Sequence, residues 1–302
     1  MANHINRRSQ EFREMLANEY LSTTISISEL SRKYQTDAVY QLKKLGIPLK
    51  GRGVQKMLTR TGCIKYNWDA SKVETEEQAY VLGFLLADGY YSGTQVGLRL
   101  KKDDLMILKK IRDCFSEEIK IQEEETAYGF AISSTVICNN LNRLGIIRHK
   151  SRNEKYIPVL RDDLVRHFIR GYFDGDGTVF VCHTGKNQFL KCNICSSTKN
   201  ILVEIQEILA ANGIYSAIDF EKRIGKVYRF KDQYDGIATM DMNRLFIRRK
   251  GDIQKLYHYL YDGAGIYLDR KYKVFADNQW MLVYRHANTE LTEQIAKGCS
   301  TV

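Results

Sequence analysis

The sequence predicts an α+β protein in which a small all-helical domain precedes a larger part built from two related halves. Three observations predict it. An apolar helical segment ending in Asp-Gly occurs twice, 88 residues apart. Each copy is followed by a strand-like alternation and then an amphipathic helix. Ahead of the first copy lie short capped helical segments without that alternation. The chain has 302 residues, enough for about two domains at roughly 150 residues each.

Residues 7–21 read as a helix with Phe12, Leu16 and Tyr20 on one face. In the following TTISISELSRKYQTDAVYQLKKLGIPLKGRG, Ser28 is placed to cap a short helix holding Leu30 and Tyr34. Gln35-Thr36 makes a turn, and Asp37 caps a second helix over 38–45 with Val39 and Leu42 inward; Gly46 stops it. Two short helices and a tight turn outline a helix-turn-helix. In that motif the second helix enters the major groove. Its polar face here would present Tyr40, Gln41, Lys43 and Lys44, with Arg52, Lys56 and Arg60 following as backbone-binding candidates. A small bundle that binds nothing has the same outline; the basic tail and the overall charge favour nucleic acid. The organisation is therefore a helix-turn-helix over 1–60, a glycine-containing linker over 61–74, one half over 75–162, a second over 163–285, and a patternless tail over 286–302.

The repeat is the most informative feature. Residues 75–89 read TEEQAYVLGFLLADG and residues 163–177 read DLVRHFIRGYFDGDG. Each begins with a good N-cap residue, Thr75 or Asp163, and ends in Asp-Gly, at Asp88-Gly89 and Asp176-Gly177. Each is apolar nearly all round, as a buried helix is. Each carries two small residues four apart, Gly83/Ala87 and Gly171/Gly175, which share a helical face and let two backbones approach closely. Glycine inside a helix costs ~1 kcal/mol relative to alanine, and close helix–helix contact supplies the reason for it. The two segments are therefore expected to pack together. That leaves Asp88 and Asp176 at adjoining helix C-termini, where the macrodipole disfavours a carboxylate and the two repel each other. A divalent cation between them removes the conflict, and two carboxylates with water suit Mg²⁺. One Asp-Gly alone would be an ordinary turn; two at matched helix positions favour the metal.

VLGFLLADG (81–89) and IRGYFDGDG (169–177) resemble the two motif copies of single-chain LAGLIDADG homing endonucleases, over roughly residues 75–285. The resemblance implies two pseudo-two-fold αββαββα halves whose sheets form a DNA-binding saddle, with the motif helices as their interface. It implies that Asp88 and Asp176 bind two or three catalytic Mg²⁺ ions, joined by the Ala87 and Gly175 carbonyls. The first copy has Leu86 where the second has Asp174, a position that varies in the family. Further on, NNLNRLGIIRHKS (139–151) parallels YHYLYDGAGIYLDRKYK (257–273), each leading to a lysine. The resemblance places Lys150 and Lys271 near the active site, to polarise water or stabilise the charged transition state. Arg99 and Lys101 share a strand face in the first half, Lys191 and Asn193 in the second, and Lys222, Arg223 and Arg229 flank a second strand pair. These are the candidates for phosphate and base contacts.

The expected activity is a metal-dependent staggered double-strand break with 3′ overhangs in a long duplex site. The alternatives are an intron maturase that binds structured intron RNA, and a non-catalytic LAGLIDADG/helix-turn-helix transcriptional regulator, a class that usually loses the motif acids, both of which are kept here. Composition agrees with a polyanionic partner: net charge is +10, and each neutralised phosphate releases condensed counterions. Seven scattered cysteines suggest no disulfide framework, and no apolar run reaches the ~20 residues that span a bilayer. A cytoplasmic setting (bacterial, phage or organellar interior) with no membrane partner is expected, as is a monomer, since the two motif helices satisfy each other. Cys192 and Cys195 form a CxxC in a strand-like run without a second pair, which favours packed thiols over zinc.

Overall fold

Side-chain caps set five of the ten α-helix starts described in this computed structural model, which describes residues 9–23, 25–49, 64–185, 187–230 and 234–278. The chain divides into two compact units, residues 1–65 and 66–302.

In the first unit, α1 (Gln10–Ser22) is capped by Ser9, α2 (Ile27–Lys33) by Ser26 and α3 (Ala38–Lys44) by Asp37. Ser26 rather than Ser28 starts α2, because Glu29 three residues on completes a reciprocal capping box with it. Leu16, Ala17, Tyr20, Leu30, Ala38 and Leu42 close a small core. Gly46 takes a φ of +67°, the left-handed turn that ends α3. The inward face of α3 is Ala38, Gln41 and Leu42, with Val39 half-buried. Gln41 is therefore not on the polar face expected of it: it is fully buried, its Oε1 accepting from Arg13 Nε at 2.9 Å. The reason is helical period, since Gln41 lies one turn from Ala38. Arg52, Lys56, Arg60 and the 286–302 tail lie outside the described residues.

The second unit opens with Trp68 and Ala70, both buried, within the segment read as linker. Trp68 stacks on Phe115 with ring centroids 5.1 Å apart, so this part of 61–74 belongs to the core. Then come α4 (Glu76–Ala87), β1 (Tyr90–Tyr91), β2 (Val96–Lys101), α5 (Leu105–Phe115), β3 (Gln122–Glu123), β4 (Ala127–Ile132) and α6 (Thr135–Arg143). The second half repeats the order with α7 (Asp162–Asp176), β5 (Gly177–Thr184), β6 (Asn187–Ser196), α8 (Asn200–Ala211), β7 (Ala217–Glu221), β10 (Met242–Ile247) and α9 (Lys250–Tyr261). A hairpin, β8 (Val227–Phe230) with β9 (Tyr234–Ile237), is inserted between β7 and β10, and α10 (Asp269–Asp277) follows. The sheets have matching antiparallel orders, β1-β2-β4-β3 and β5-β6-β10-β7. Both halves are thus αββαββα, joined through one continuous apolar core.

Thr75 caps α4 through a capping box with Gln78. Asp163 does not cap α7: the helix starts one residue earlier, and Asp163 spends its carboxylate on Arg161 at 2.6 Å. Residues 79–87 of α4 and 167–174 of α7 are all buried. A Cβ on Gly83 would fall on the Phe168 carbonyl, one on Gly171 on the Tyr80 carbonyl, and one on Gly175 on the Ala87 methyl. The small residues are what brings the two backbones into contact.

Candidate active site

Close packing of α4 and α7 carries their C-terminal ends to the same place. Asp88 is the C-cap of α4 and Asp176 the last residue of α7. A Cβ on Gly175 would stand 3.5 Å from Asp88 Oδ2, so the Asp88 carboxylate lies beside the end of the partner helix. Asp88 keeps solvent access on one side. Desolvation among the helix ends raises its pKa and the Asp176 charge raises it further, against Lys150, Lys271 and Arg270.

Lys150 and Lys271 both reach this point, each at the end of its own half. Lys150 donates to the carbonyls of Leu85 at 3.1 Å and Leu86 at 2.9 Å, and to that of Ala87. The residue before it, His149, takes a left-handed φ of 51°, an uncommon conformation for a non-glycine residue. Lys271, 4% exposed, donates to Phe173 O at 2.8 Å, Asp174 O at 2.6 Å, Gly175 O at 3.2 Å and Gly177 O at 2.5 Å. These ammonium groups face the carbonyls of the helix ends that carry Asp88 and Asp176. A cation there offsets the negative end of each macrodipole. Burial lowers their pKa values to about 7 for Lys150 and about 8 for Lys271.

The donors at the centre are all oxygen: two carboxylates and the carbonyls of two helix ends. That set suits a hard divalent cation such as Mg²⁺. The Ala87 and Gly175 carbonyls accept from the lysines and retain a second lone pair. No group of three or more His, Cys, Asp or Glu side chains that could hold a metal ion exists among the described residues. A cation here would therefore complete its shell with water or substrate oxygen.

Residues 163–260 match the family model described as a LAGLIDADG-like domain. The matched segment runs from the start of α7 nearly to the end of α9. Among curated relatives, the DNA-directed RNA polymerase subunit Rpo1C of Methanocaldococcus jannaschii is 28% identical over 145 residues, 45% of this chain and 16% of that protein. Reverse gyrase of Thermococcus kodakarensis is 25% identical over 146 residues, 48% of this chain and 8% of that protein. The chain thus spans a small part of the curated relatives it matches. Among solved structures, the LAGLIDADG homing endonuclease I-GzeII in complex with its DNA target is similar, with a TM-score of 0.47 and 13% identity, over 74% of this chain and 97% of that one. I-DmoI in complex with DNA and Ca has a TM-score of 0.41 and 17% identity, over 64% and 91%.

In the second half, the open sheet face carries Lys191 and Asn193 on β6, as expected of side chains two apart. Arg244 and Phe246 on β10 join them, with Phe246 paired to Asn193. Sequence reading missed those two, because β10 follows the inserted hairpin and its register was not legible. Cys192 is buried beneath the sheet while Cys195 stands on the open face, so the CxxC pair points to opposite sides. Arg223 pairs with Glu221 at 3.4 Å, and Lys222 and Arg229 are exposed beside it. In the first half Arg99 and Lys101 share the exposed face of β2, paired with Glu124 and with Asp103 at 3.2 Å respectively. On α3, Tyr40, Lys43 and Lys44 are exposed. Lys155 was also missed. It is 6% exposed, with its ammonium 3.7 Å from Asp176 Oδ2. Its one signal was a second lysine five positions after Lys150.

Proposed function

We propose that this protein is a site-specific DNA endonuclease that makes a metal-dependent, staggered double-strand break with 3′ overhangs in a long duplex target. The observation that carries the reading is the meeting of Asp88 and Asp176 at two helix ends held together by glycine contacts, each end braced by a lysine. A chain folded only for stability gains nothing from two carboxylates at adjoining helix C-termini. The match of residues 163–260 to the LAGLIDADG-like domain model supports it.

Asp88 and Asp176, with the Ala87 and Gly175 carbonyls, would hold two or three Mg²⁺ ions. Those ions, when bound, supply an activated water and charge stabilisation at the leaving oxygen. In the net reaction the water oxygen bonds to phosphorus, the P–O3′ bond breaks, and a proton ends on the 3′ oxygen. Lys150 and Lys271 hold the helix ends, and so the carboxylates, in position. Arg99, Lys101, Lys191, Asn193, Lys222, Arg223 and Arg229 are proposed to line the duplex, and Tyr40, Lys43 and Lys44 to add contacts outside the core site. The protein is proposed to act as a monomer, since both acids belong to one chain.

The test is cleavage of duplex DNA spanning the insertion locus of its gene, with the intervening element removed, in Mg²⁺ and in chelator. A discrete Mg²⁺-dependent cut, lost in Asp88→Asn and Asp176→Asn, is expected. Tight duplex binding without a cut, unchanged by either substitution, would replace the reading with a regulator. Preference for folded intron RNA would replace it with a maturase.

A further inference from the structure

A small cavity of about 180 Å³ opens where β7 begins and β10 ends, beside the start of α9. Tyr215, Ser216, Phe246, Arg248, Arg249 and Asp252 contribute to its lining. Two oxygens of that lining are buried without a hydrogen-bond partner, Ser216 Oγ and Asp252 Oδ2. Asp252 is only 5% exposed, and a buried carboxylate oxygen left unpaired is costly. Helix capping does not account for it. Asp252 is the third residue of α9, where an acid can cap the helix, yet no side-chain cap bond is made there. The fold does not require an acid either. In the first half α6 buries Ile137, Cys138 and Leu141, the spacing that α9 repeats with Asp252, Ile253 and Leu256. Ile137 thus stands where the second half has Asp252. The arginines of the lining are turned to rings instead, Arg248 over Phe246 at 5.0 Å and Arg249 over Tyr215 at 5.7 Å from the centroids.

An occupant that suits this lining donates to a carboxylate, pairs with a hydroxyl and offers a flat face to Tyr215, which is 62% exposed. It also carries negative charge toward the exposed Arg248 and Arg249. A nucleotide meets every term, whereas a metal ion would be repelled by the two guanidiniums. The cavity lies below the ~300 Å³ at which pockets for drug-sized ligands begin, so it suits one ring system rather than a larger ligand. A carboxylate only accepts. Guanine alone among the bases sets two donors side by side on its Watson–Crick edge, N1–H and the N2 amino group. Adenine and cytosine set an acceptor beside their one amino donor, and thymine flanks its one donor with two acceptors. We propose that this cavity binds an unpaired guanine nucleotide. Asp252 accepts from N1–H and the N2 amino group, Ser216 Oγ donates to O6, Tyr215 stacks on the base, and Arg248 with Arg249 meets the phosphate. Asp88 and Asp176 take no part, so the inference does not rest on the endonuclease reading.

The test is binding of the full chain, in chelator, to fluorescent oligothymidine carrying one central guanine, adenine or hypoxanthine. Guanine should bind tighter than adenine by about tenfold or more, with hypoxanthine, which lacks the N2 amino group, between them. Asp252→Asn and Asp252→Ile should erase that preference while keeping or raising the melting temperature. Tyr215→Ala should weaken all three oligonucleotides alike, by about fivefold or more. Competition by free GMP separates the two sources of the base. GMP that competes as well as the guanine strand marks a free nucleotide as the occupant, and much weaker competition marks a strand. The preference should survive in Asp88→Asn; its loss there would move the guanine to the other site and overturn the assignment. Equal affinity for guanine and adenine in the unaltered protein, or a guanine preference unchanged in Asp252→Asn, would also overturn the proposal.

Discussion

Gly171 on α7 faces the backbone carbonyl of Tyr80 on α4 so closely that a methyl group there would overlap the oxygen. Gly83 stands in the same relation to Phe168. In an exposed helix, Gly→Ala gains ~1 kcal/mol. Here the sign should invert. Gly171→Ala and Gly83→Ala should each destabilise the second unit by roughly 2 kcal/mol or more, because overpacked helices must separate. Urea denaturation reads this directly, and a stabilising alanine at either position would refute the close packing.

Asp174 is fully buried between the halves, accepting from Tyr80 Oη at 2.8 Å, Tyr261 Oη at 2.9 Å and Leu268 N at 2.8 Å. Burial raises its pKa against these donors and Lys271. Tyr80→Phe should cost about 1–3 kcal/mol, since the lost donor leaves a buried acceptor unsatisfied. Tyr261→Phe should behave alike, and the double variant should depart from additivity because both hydroxyls serve one carboxylate. A double-mutant cycle with no coupling would separate them.

Asp88 has a raised pKa because its charged form is disfavoured where it stands. Asp88→Asn should therefore raise the melting temperature measured in chelator while abolishing cleavage. A gain in stability on loss of a residue required for activity marks a group placed for function. A fall in melting temperature would mean that the carboxylate is structural.

His167 sits with its Nδ1 2.8 Å from Arg170 Nη1, and burial with that guanidinium lowers its pKa to about 4. The folded state thus holds the ring neutral where the unfolded state, at ~6.5, protonates it. Between those values the unfolded chain binds the extra proton, so stability is full above pH ~6.5 and falls as the pH drops toward 4. His167→Gln should flatten stability across that window. Thermal melts at pH 4.5 and 7.5 suffice to see it.

The motif helices were legible because a full apolar circumference, paired small residues and a terminal Asp-Gly recur at one spacing. The lysines were legible by the same repetition, but their contacts were not. Nothing in RHKS or DRKYK says whether an ammonium will face solvent or a helix end. Gln41 misled because seven residues of α3 are too few to define a polar face against a buried one. Lys155, Arg170 and His167 went unread for a related reason. Buried charges depend on partners far along the chain, such as Glu76, which takes Arg170 Nη2 at 2.6 Å across the two halves.

Position 174 is aspartate and the matched position 86 is leucine. Two identical subunits meeting through this helix pair would have to present the same residue twice, leaving two buried carboxylates or none. Fusion of the halves in one chain lifts that constraint, so each substitution is inherited on one side alone. A core free to become lopsided permits, under the proposed function, a reading surface free to become lopsided, and hence recognition of a target whose left and right arms do not mirror each other.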